Sequence, residues 1–227
     1  MKNILTQIKS KFNNYYGLSF RRKLLDKYLA QHASIYHGIV LDIGGRDRGS
    51  FNKPKNIVKR WIFADIEKKH HPDIILDVSQ MSAVNDNSID VVNCIELFEH
   101  VKNIDKGITE CYRILKKEGS IMISVPFMFP IHADPSDYQR WTDTKWQTVL
   151  AHAGFKSIKI ETMGYFFTTI SDMILVLLNE LPWIIRISKY IIIPILSLLV
   201  KLDYRPLIFR NQSLNKFHQG YFITAIK

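Results

Sequence analysis

The run Gly38-Ile39-Val40-Leu41-Asp42-Ile43-Gly44-Gly45-Arg46-Asp47-Arg48-Gly49 decides the fold. Three consecutive aliphatic residues lead into an acid, Asp42, and then into a turn holding Gly44, Gly45 and Gly49. An apolar run that gives way to glycines reads as a buried parallel strand followed by a tight turn. Glycine there admits positive φ and lets a ligand approach the main chain closely. Such turns are common in α/β proteins, so the spacing to the next acid carries the weight. A second short run, Arg60 to Ala64, ends in Asp65, 23 residues beyond Asp42. An acid at the tip of a second strand, about 20 residues past a glycine turn, is placed to hold ribose hydroxyls.

Outward from this pair the chain keeps alternating. Asp73 to Leu76 reads as a short third strand with Asp77 at its end, and Ile89 to Cys94 as a fourth strand after the turn Asn85 to Ser88. Ile104, Ile108, Cys111 and Leu115 mark one face of a helix expected to stop at Gly119. Ser120 to Val125 makes a fifth strand, closed by Pro126, and the aromatic, proline-broken loop 127–141 leaves its carboxyl end. Thr142 or Asp143 caps a helix over Lys145 to Ala153 that stops at Gly154. Lys156 to Thr162 and Tyr221 to Lys227 alternate as strands do. Strands alternating with helices predict a parallel sheet covered on both faces. Residues 1–34 form a helical cover, with Arg21, Arg22, Lys23 and Lys27 between its apolar positions. Lys68, Lys69, His70 and His71 read as an exposed loop; adjacent histidines point apart and no third ligand is near, so no metal centre is read there.

A chain of 227 residues suffices for one α/β domain with a sizeable core. Its 31 Lys and Arg against 21 Asp and Glu give +10, which suits an anionic partner and equally suits plain solubility. Cys94 and Cys111 fall in a strand and a helix and read as buried thiols, not as a disulfide scaffold or a cysteine metal site. The N-terminal stretch has no apolar signal core, which predicts a cytoplasmic catalytic part.

Residues 165–202 are strongly apolar, yet Asn179, Glu180, Arg186 and Lys189 interrupt them, and Pro182 and Pro194 break them into short helices. The longest uncharged run, Tyr190 to Val200, falls short of the roughly 20 residues a bilayer crossing needs. With Trp183, Arg186, Lys189 and Lys201 at its borders, such a segment can lie in a membrane interface. A helical lid or a homodimer interface is the other reading.

The ordered set of glycine turn, Asp65, Asp77, Ile89-Asp-Val-Val-Asn-Cys-Ile-Glu-Leu-Phe-Glu-His-Val101, Gly107 to Phe127 and Ala153-Gly154-Phe155 resembles class I S-adenosylmethionine-dependent methyltransferases, nearest the small bacterial type-11 group, over residues 38–162. The resemblance implies a Rossmann-like, seven-stranded sheet, mostly parallel with its last strand antiparallel. Helices would cover both faces, with a hydrophobic helical insert at about 165–215, all in a single domain 1–227. It implies S-adenosyl-L-methionine as cofactor, with Asp42, Gly44 and Gly45 at the methionine end. Asp65 with Ile66 would take the ribose, Asp77 with Val78 the adenine, and Asn93 and Cys94 would line the methionine part. Carboxylate acceptors suit a ligand that carries hydroxyls, an amine and a sulfonium cation. The family turn would put glycine at 46 and 48, where this chain has Arg46 and Arg48.

Methyl transfer needs an aligned nucleophile and a destination for its proton. His132 with Asp134 is the first candidate for a base and its neighbour, and His100 the second. Asp137, Tyr138, Arg140 and Trp141 suit a sugar or phosphate, or else a structural turn and aromatic packing. The expectation is a methyltransferase acting on an oxygen of a glycan, lipid-linked or small-molecule acceptor, peripheral on the inner membrane face, with an anionic surface engaging 173–202. A fold relative that binds without catalysing is the alternative. Nucleic acid is the weakest partner, since no base-reading motif or added RNA-binding module is present.

Overall fold

The computed structural model describes residues 9, 12–45, 50–54, 56–133 and 135–227. The calls on Arg46, Arg48, Gly49 and Asp134, and on part of the N-terminal cover, lie outside them.

Seven strands form one sheet: β1 (Gly38–Ile43), β2 (Val58–Asp65), β3 (Ile74–Ile75), β4 (Ile89–Ile95), β5 (Leu115–Pro126), β6 (Lys156–Met163) and β7 (Gly220–Ile226). Their order is β3-β2-β1-β4-β5-β7-β6. The pairs β1–β2, β1–β4, β2–β3 and β4–β5 are parallel, and β7 runs antiparallel to β5. This is the Rossmann-like methyltransferase sheet expected from the sequence. The chain steps from β1 outward to β2 and β3, then returns to the other side of β1 with β4. That reversal opens a crevice at the carboxyl ends of β1 and β4, where open α/β sheets bind ligands.

Sequence explains the elements. β1 and β4 are central, and their residues Val40, Leu41, Val91 and Val92 are fully buried, as a strand covered on both faces requires. Helix α1 (Phe20–Gln31) precedes β1 in the chain, and α2 (Ile104–Ile114) and α3 (Asp143–His152) pack into the core around the sheet. Asn103 and Thr142 cap the last two by accepting the backbone N–H of Lys106 and Lys145. On α2, Ile104, Ile108, Cys111 and Ile114 are buried at helical spacing, and Gly107 leaves room for the Phe98 ring, which a Cβ would meet at 3.1 Å.

Two expectations need correction. α2 stops at Ile114 rather than Gly119, because Leu115 already pairs with Ile89 and Lys116 reaches Asp90 at 2.8 Å, drawing 115–119 into the sheet. Helices also do not separate every strand: β2 and β3 are joined by a 3-10 turn at Lys68–His70, and β3 and β4 by turns.

By its internal packing the chain divides into two compact units. The larger, drawn from Leu29–Asp47, Asn52–Glu161 and Gly220–Lys227, holds most of the sheet and a core built on residues such as Leu41, Val92, Ile108, Ile121, Trp146 and Ile223. The smaller takes Met1–Tyr28, Arg48–Phe51 and Thr162–Gln219. It contains the start of α1 and the helices α4 (Phe166–Glu180), α5 (Trp183–Arg186), α6 (Lys189–Val200) and α7 (Pro206–Phe209). Phe20, Leu175, Leu178, Ile193 and Leu196 form its own small core.

Two buried carboxylates tie the smaller unit together. Asp203 accepts N–H bonds from Tyr165, Phe167 and Thr168 and the Thr168 hydroxyl, at 2.6–3.0 Å, and so satisfies the orphan donors that open α4. Asp172 does the same for α1 through the N–H groups of Phe20 and Arg21, at 2.7 and 2.8 Å. Burial pushes the Asp172 carboxyl up to about 6 against those bonds.

Candidate active site

A cavity of about 730 Å³ lies in the larger unit at the carboxyl ends of β1, β2 and β4. Asp65, Glu67, Asp77, Glu96 and Asp105 line it against two lysines, Lys102 and Lys106. An acid-rich wall of this kind favours a cationic ligand.

β1 places Asp42 just below the turn. Its carboxylate is 2 % exposed and accepts from Trp61 Nε1 at 2.9 Å and Asn93 Nδ2 at 2.6 Å, with Lys53 Nζ at 3.7 Å. Burial pushes its carboxyl up, and the bonds from Asn93 and Trp61 and the Lys53 charge pull it back. Tyr36 completes the set, donating to Asn93 Oδ1 at 2.8 Å. Gly45 packs directly on this carboxylate, where a Cβ would fall 2.0 Å from Asp42 Oδ1. Gly44 has φ +70, donates to the Ala64 carbonyl at 2.7 Å and sits on the cavity wall, where a Cβ would meet Leu97 at 3.1 Å. Among the residues expected at the methionine end, Gly44 therefore faces the cavity. Asp42 and Asn93 form a bonded layer beneath it, and Cys94 is fully buried, its thiol pushed well up by burial.

β2 presents Asp65 and Ile66 to the same cavity. Asp65 Oδ1 accepts the Glu67 N–H at 2.8 Å, and Oδ2 lies 2.9 Å from His70 Nδ1. This corrects the reading of 68–71 as a wholly exposed loop: His71 is exposed, but His70 folds back to orient the Asp65 carboxylate. Asp77 and Val78 follow β3 on the cavity wall, and Asp77 Oδ1 accepts from the Ser79 N–H and hydroxyl at 2.8 and 2.7 Å. Three acids thus stand in one region at the first three strand tips, two of them on the wall.

The opposite wall comes from the segments after β4 and β5. Glu96 takes φ +55, a conformation rare outside glycine, and its Oε1 accepts from the Ser124 hydroxyl at 2.5 Å. Non-glycine residues held this way cluster at functional sites. Three bonds dock the post-β5 loop on the post-β4 turn: His100 Nδ1 to the Ser136 carbonyl at 2.6 Å, the Tyr138 N–H to the Glu99 carbonyl at 2.8 Å, and Gln139 Nε2 to the Val101 carbonyl at 2.6 Å. His100, Tyr138 and Trp141 then line the cavity. His132 meets His100 edge to face, ring centres 5.1 Å apart. Among the described residues Asp137 is the carboxylate against His132: it accepts the backbone N–H at 3.0 Å and lies 3.6 Å from Nδ1. Arg140 grips Asp137 through both terminal nitrogens and holds its carboxyl down to about 2. Asp137 is thus engaged within its own loop. Trp141 packs on Trp146, centres 5.1 Å apart. Among the described residues Glu99, His100 and His132 bring one carboxylate oxygen and two imidazole nitrogens within 4.8 Å, the set able to hold a metal ion.

Sequence reasoning missed Tyr36, Lys53, Trp61 and His70. Each acts through a partner distant in sequence or on a loop without a pattern, so no local signal marked them.

The methyltransferase-domain family model matches residues 54–123. No curated protein matches the chain. Among solved structures, an S-adenosylmethionine-dependent methyltransferase from Archaeoglobus fulgidus is similar over 96 % of this chain and 99 % of its own, with 20 % identity and a TM-score of 0.59. The [4+2]-cyclase SpnF covers 89 % and 79 %, with 14 % identity and a TM-score of 0.57. A Haemonchus contortus phosphoethanolamine N-methyltransferase 2, solved with S-adenosyl-L-methionine, is similar at 15 % identity and a TM-score of 0.55; the match covers 89 % of this chain and 52 % of that one. Residues 54–123 thus match the methyltransferase-domain model, and the fold is that of S-adenosylmethionine-dependent methyltransferases.

Proposed function

We propose that the protein transfers a methyl group from S-adenosylmethionine to an oxygen of a glycan or lipid-linked acceptor. The observation that carries the reading is a single cavity with Asp65 and Asp77 on one wall and His100, Tyr138 and Trp141 on the other. The residues fit the cofactor. Asp65 keeps acceptor capacity for two hydroxyls beyond its bonds to Glu67 and His70, since a carboxylate offers about four lone-pair sites. Gly44, at positive φ on the wall, lets the ligand lie against bare backbone. Asp77 would take the adenine amine. When bound, the cofactor supplies a methyl group already activated on sulfur.

The chain's own residues then have two tasks. Tyr138 and Trp141 offer a ring face and a hydroxyl to a sugar, on a loop fixed by the Asp137–Arg140 clamp. His100, on the wall, has Nδ1 engaged by the Ser136 carbonyl, so Nε2, 3.8 Å from a Glu99 carboxylate oxygen, is the nitrogen that would accept the proton of an acceptor hydroxyl. His132 stands at its edge as the second imidazole. Calorimetry with S-adenosylmethionine and a turnover assay on candidate glycans test the division of labour. Asp65→Ala should lose cofactor binding, while His100→Ala and His132→Ala keep it and lose turnover. Normal turnover in both histidine variants would sink the base assignment.

A second reading is a fold relative that binds without methylating. It is favoured by Arg46 and Arg48 where the family turn has glycine. Mass spectrometry of the purified protein decides: copurified demethylated product of S-adenosylmethionine, the trace of turnover, would count against that reading.

A further inference from the structure

The smaller unit carries helices whose apolar side chains outnumber what its core uses. α6 is apolar all round: Ile193 and Leu196 enter the core, and Ile191, Ile195 and Leu198, at helical spacing on another face, stand exposed, Ile191 at 72 %. A surface helix of a water-bathed protein carries polar residues there. The first half of α4 is inverted, with Thr168, Thr169, Ser171 and Asp172 buried and Ile170 and Met173 exposed, and Leu177 is exposed further along. Trp183, Ile184, Ile185 and Ile187 around α5, and Leu207 and Phe209 on α7, are exposed as well, Leu207 at 78 %. Apolar exposure on this scale marks an interaction surface.

We infer that this face lies flat in the interfacial layer of an anionic bilayer, with the helices α4–α7 parallel to the membrane plane. No helix of the described residues is long and apolar enough to cross a membrane, which fits helices that lie on it. Charge selects the occupant. Residues 162–219 carry Arg186, Lys189, Lys201, Arg205, Arg210 and Lys216 against Glu180, Asp172 and Asp203, and the last two acids are buried. The cations sit beside aromatics: Lys189 Nζ is 5.4 Å from the centre of the Tyr190 ring and the Arg210 guanidinium 5.8 Å from that of Phe209, the pairing of interfacial anchors. A second copy of the chain would bring the same basic rim face to face with itself, because a two-fold interface pairs each patch with its own image. Anionic headgroups turn that repulsion into attraction. The platform is set in advance: Asp203 and Asp172 fix the starts of α4 and α1, so little ordering is needed on binding.

Flotation of the full chain with phosphatidylcholine vesicles, with and without phosphatidylglycerol, tests the inference. The wild type should float with the anionic vesicles, float less with neutral ones and be released by salt. Ile191→Glu and Leu198→Glu should each lower binding by about tenfold or more, the value of one aliphatic side chain removed from water. Arg205→Glu with Arg210→Glu should abolish only the preference for anionic lipid. Circular dichroism and cofactor calorimetry in vesicle-free buffer should match wild type for every variant, which separates a failed surface from a failed fold or a failed methyltransferase reading. A wild type that ignores both vesicles, glutamate variants that float unchanged, or a soluble dimer that Ile191→Glu dissociates would each overturn it.

Discussion

On the proposed function, replacing Asp65 by alanine removes the acceptor for the ribose hydroxyls. The side chain is 7 % exposed, at the end of β2, with its carboxylate aimed by the Glu67 N–H and His70. Two hydroxyls donating to an ionised carboxylate form charge-assisted bonds worth about 1.5–3 kcal/mol each, so their loss should cost about 3–6 kcal/mol of binding. That is a weakening of roughly a hundredfold to more than ten-thousandfold. Isothermal calorimetry with S-adenosylmethionine measures it directly. The control is His70→Ala, which deletes the orienting neighbour but keeps the acceptor and should cost no more than about tenfold, the worth of one positioning bond. Asp65→Ala binding within about threefold of wild type, in a protein that unfolds at the wild-type denaturant concentration, would refute the reasoning. So would a larger loss in His70→Ala than in Asp65→Ala.

Gly45→Ala forces a methyl group onto the Asp42 carboxylate and should destabilise the fold by about 1–3 kcal/mol in urea denaturation, the usual cost of overpacking; an unchanged midpoint would contradict the packing at that turn. Trp61→Phe leaves Asp42 one donor short in a buried site and should cost about 1–3 kcal/mol by the same measurement. Arg140 holds the Asp137 carboxyl down to about 2, below its unfolded value, so the clamp contributes above about pH 4 and is lost as pH falls toward about 2. Melting temperatures across that window should drop less steeply for Asp137→Asn than for wild type, and parallel curves would rule the clamp out as their cause.

Much of this was legible along the chain because it is local. Val40 and Leu41 announce a strand covered on both faces, and Gly154, at φ +101, ends α3 where the sequence said it would. The strand-tip acids could be placed because strand and turn fix their positions within a residue or two. What stayed hidden is set by long-range partners. The helical face of α2 runs on into Leu115 in the sequence, and only the pull of Asp90 and Ile89 on the next residues stops the helix earlier. The Asp42 layer draws Tyr36, Lys53, Trp61 and Asn93 from four segments, and a pattern of apolar periods says nothing of such convergence. His132 meets Asp137, five residues on, through loop geometry that no periodicity reveals.

The two walls of the cavity are therefore built by different physics. The acid wall hangs on strand tips whose positions follow from sheet register: Asp42 lies opposite Phe63 on β2 and Asn93 on β4, so β4 cannot slide along β1 without breaking the Asp42–Asn93 bond, nor β2 without breaking the Trp61–Asp42 bond. A pairing error of one residue would turn each carboxylate to the other face. The opposite wall is a loop, held by three hydrogen bonds to the post-β4 turn and one clamp, and its composition is free to change without disturbing the sheet. On the proposed function, recognition of the cofactor falls to the wall that register fixes, and choice of acceptor to the wall that a few bonds hold.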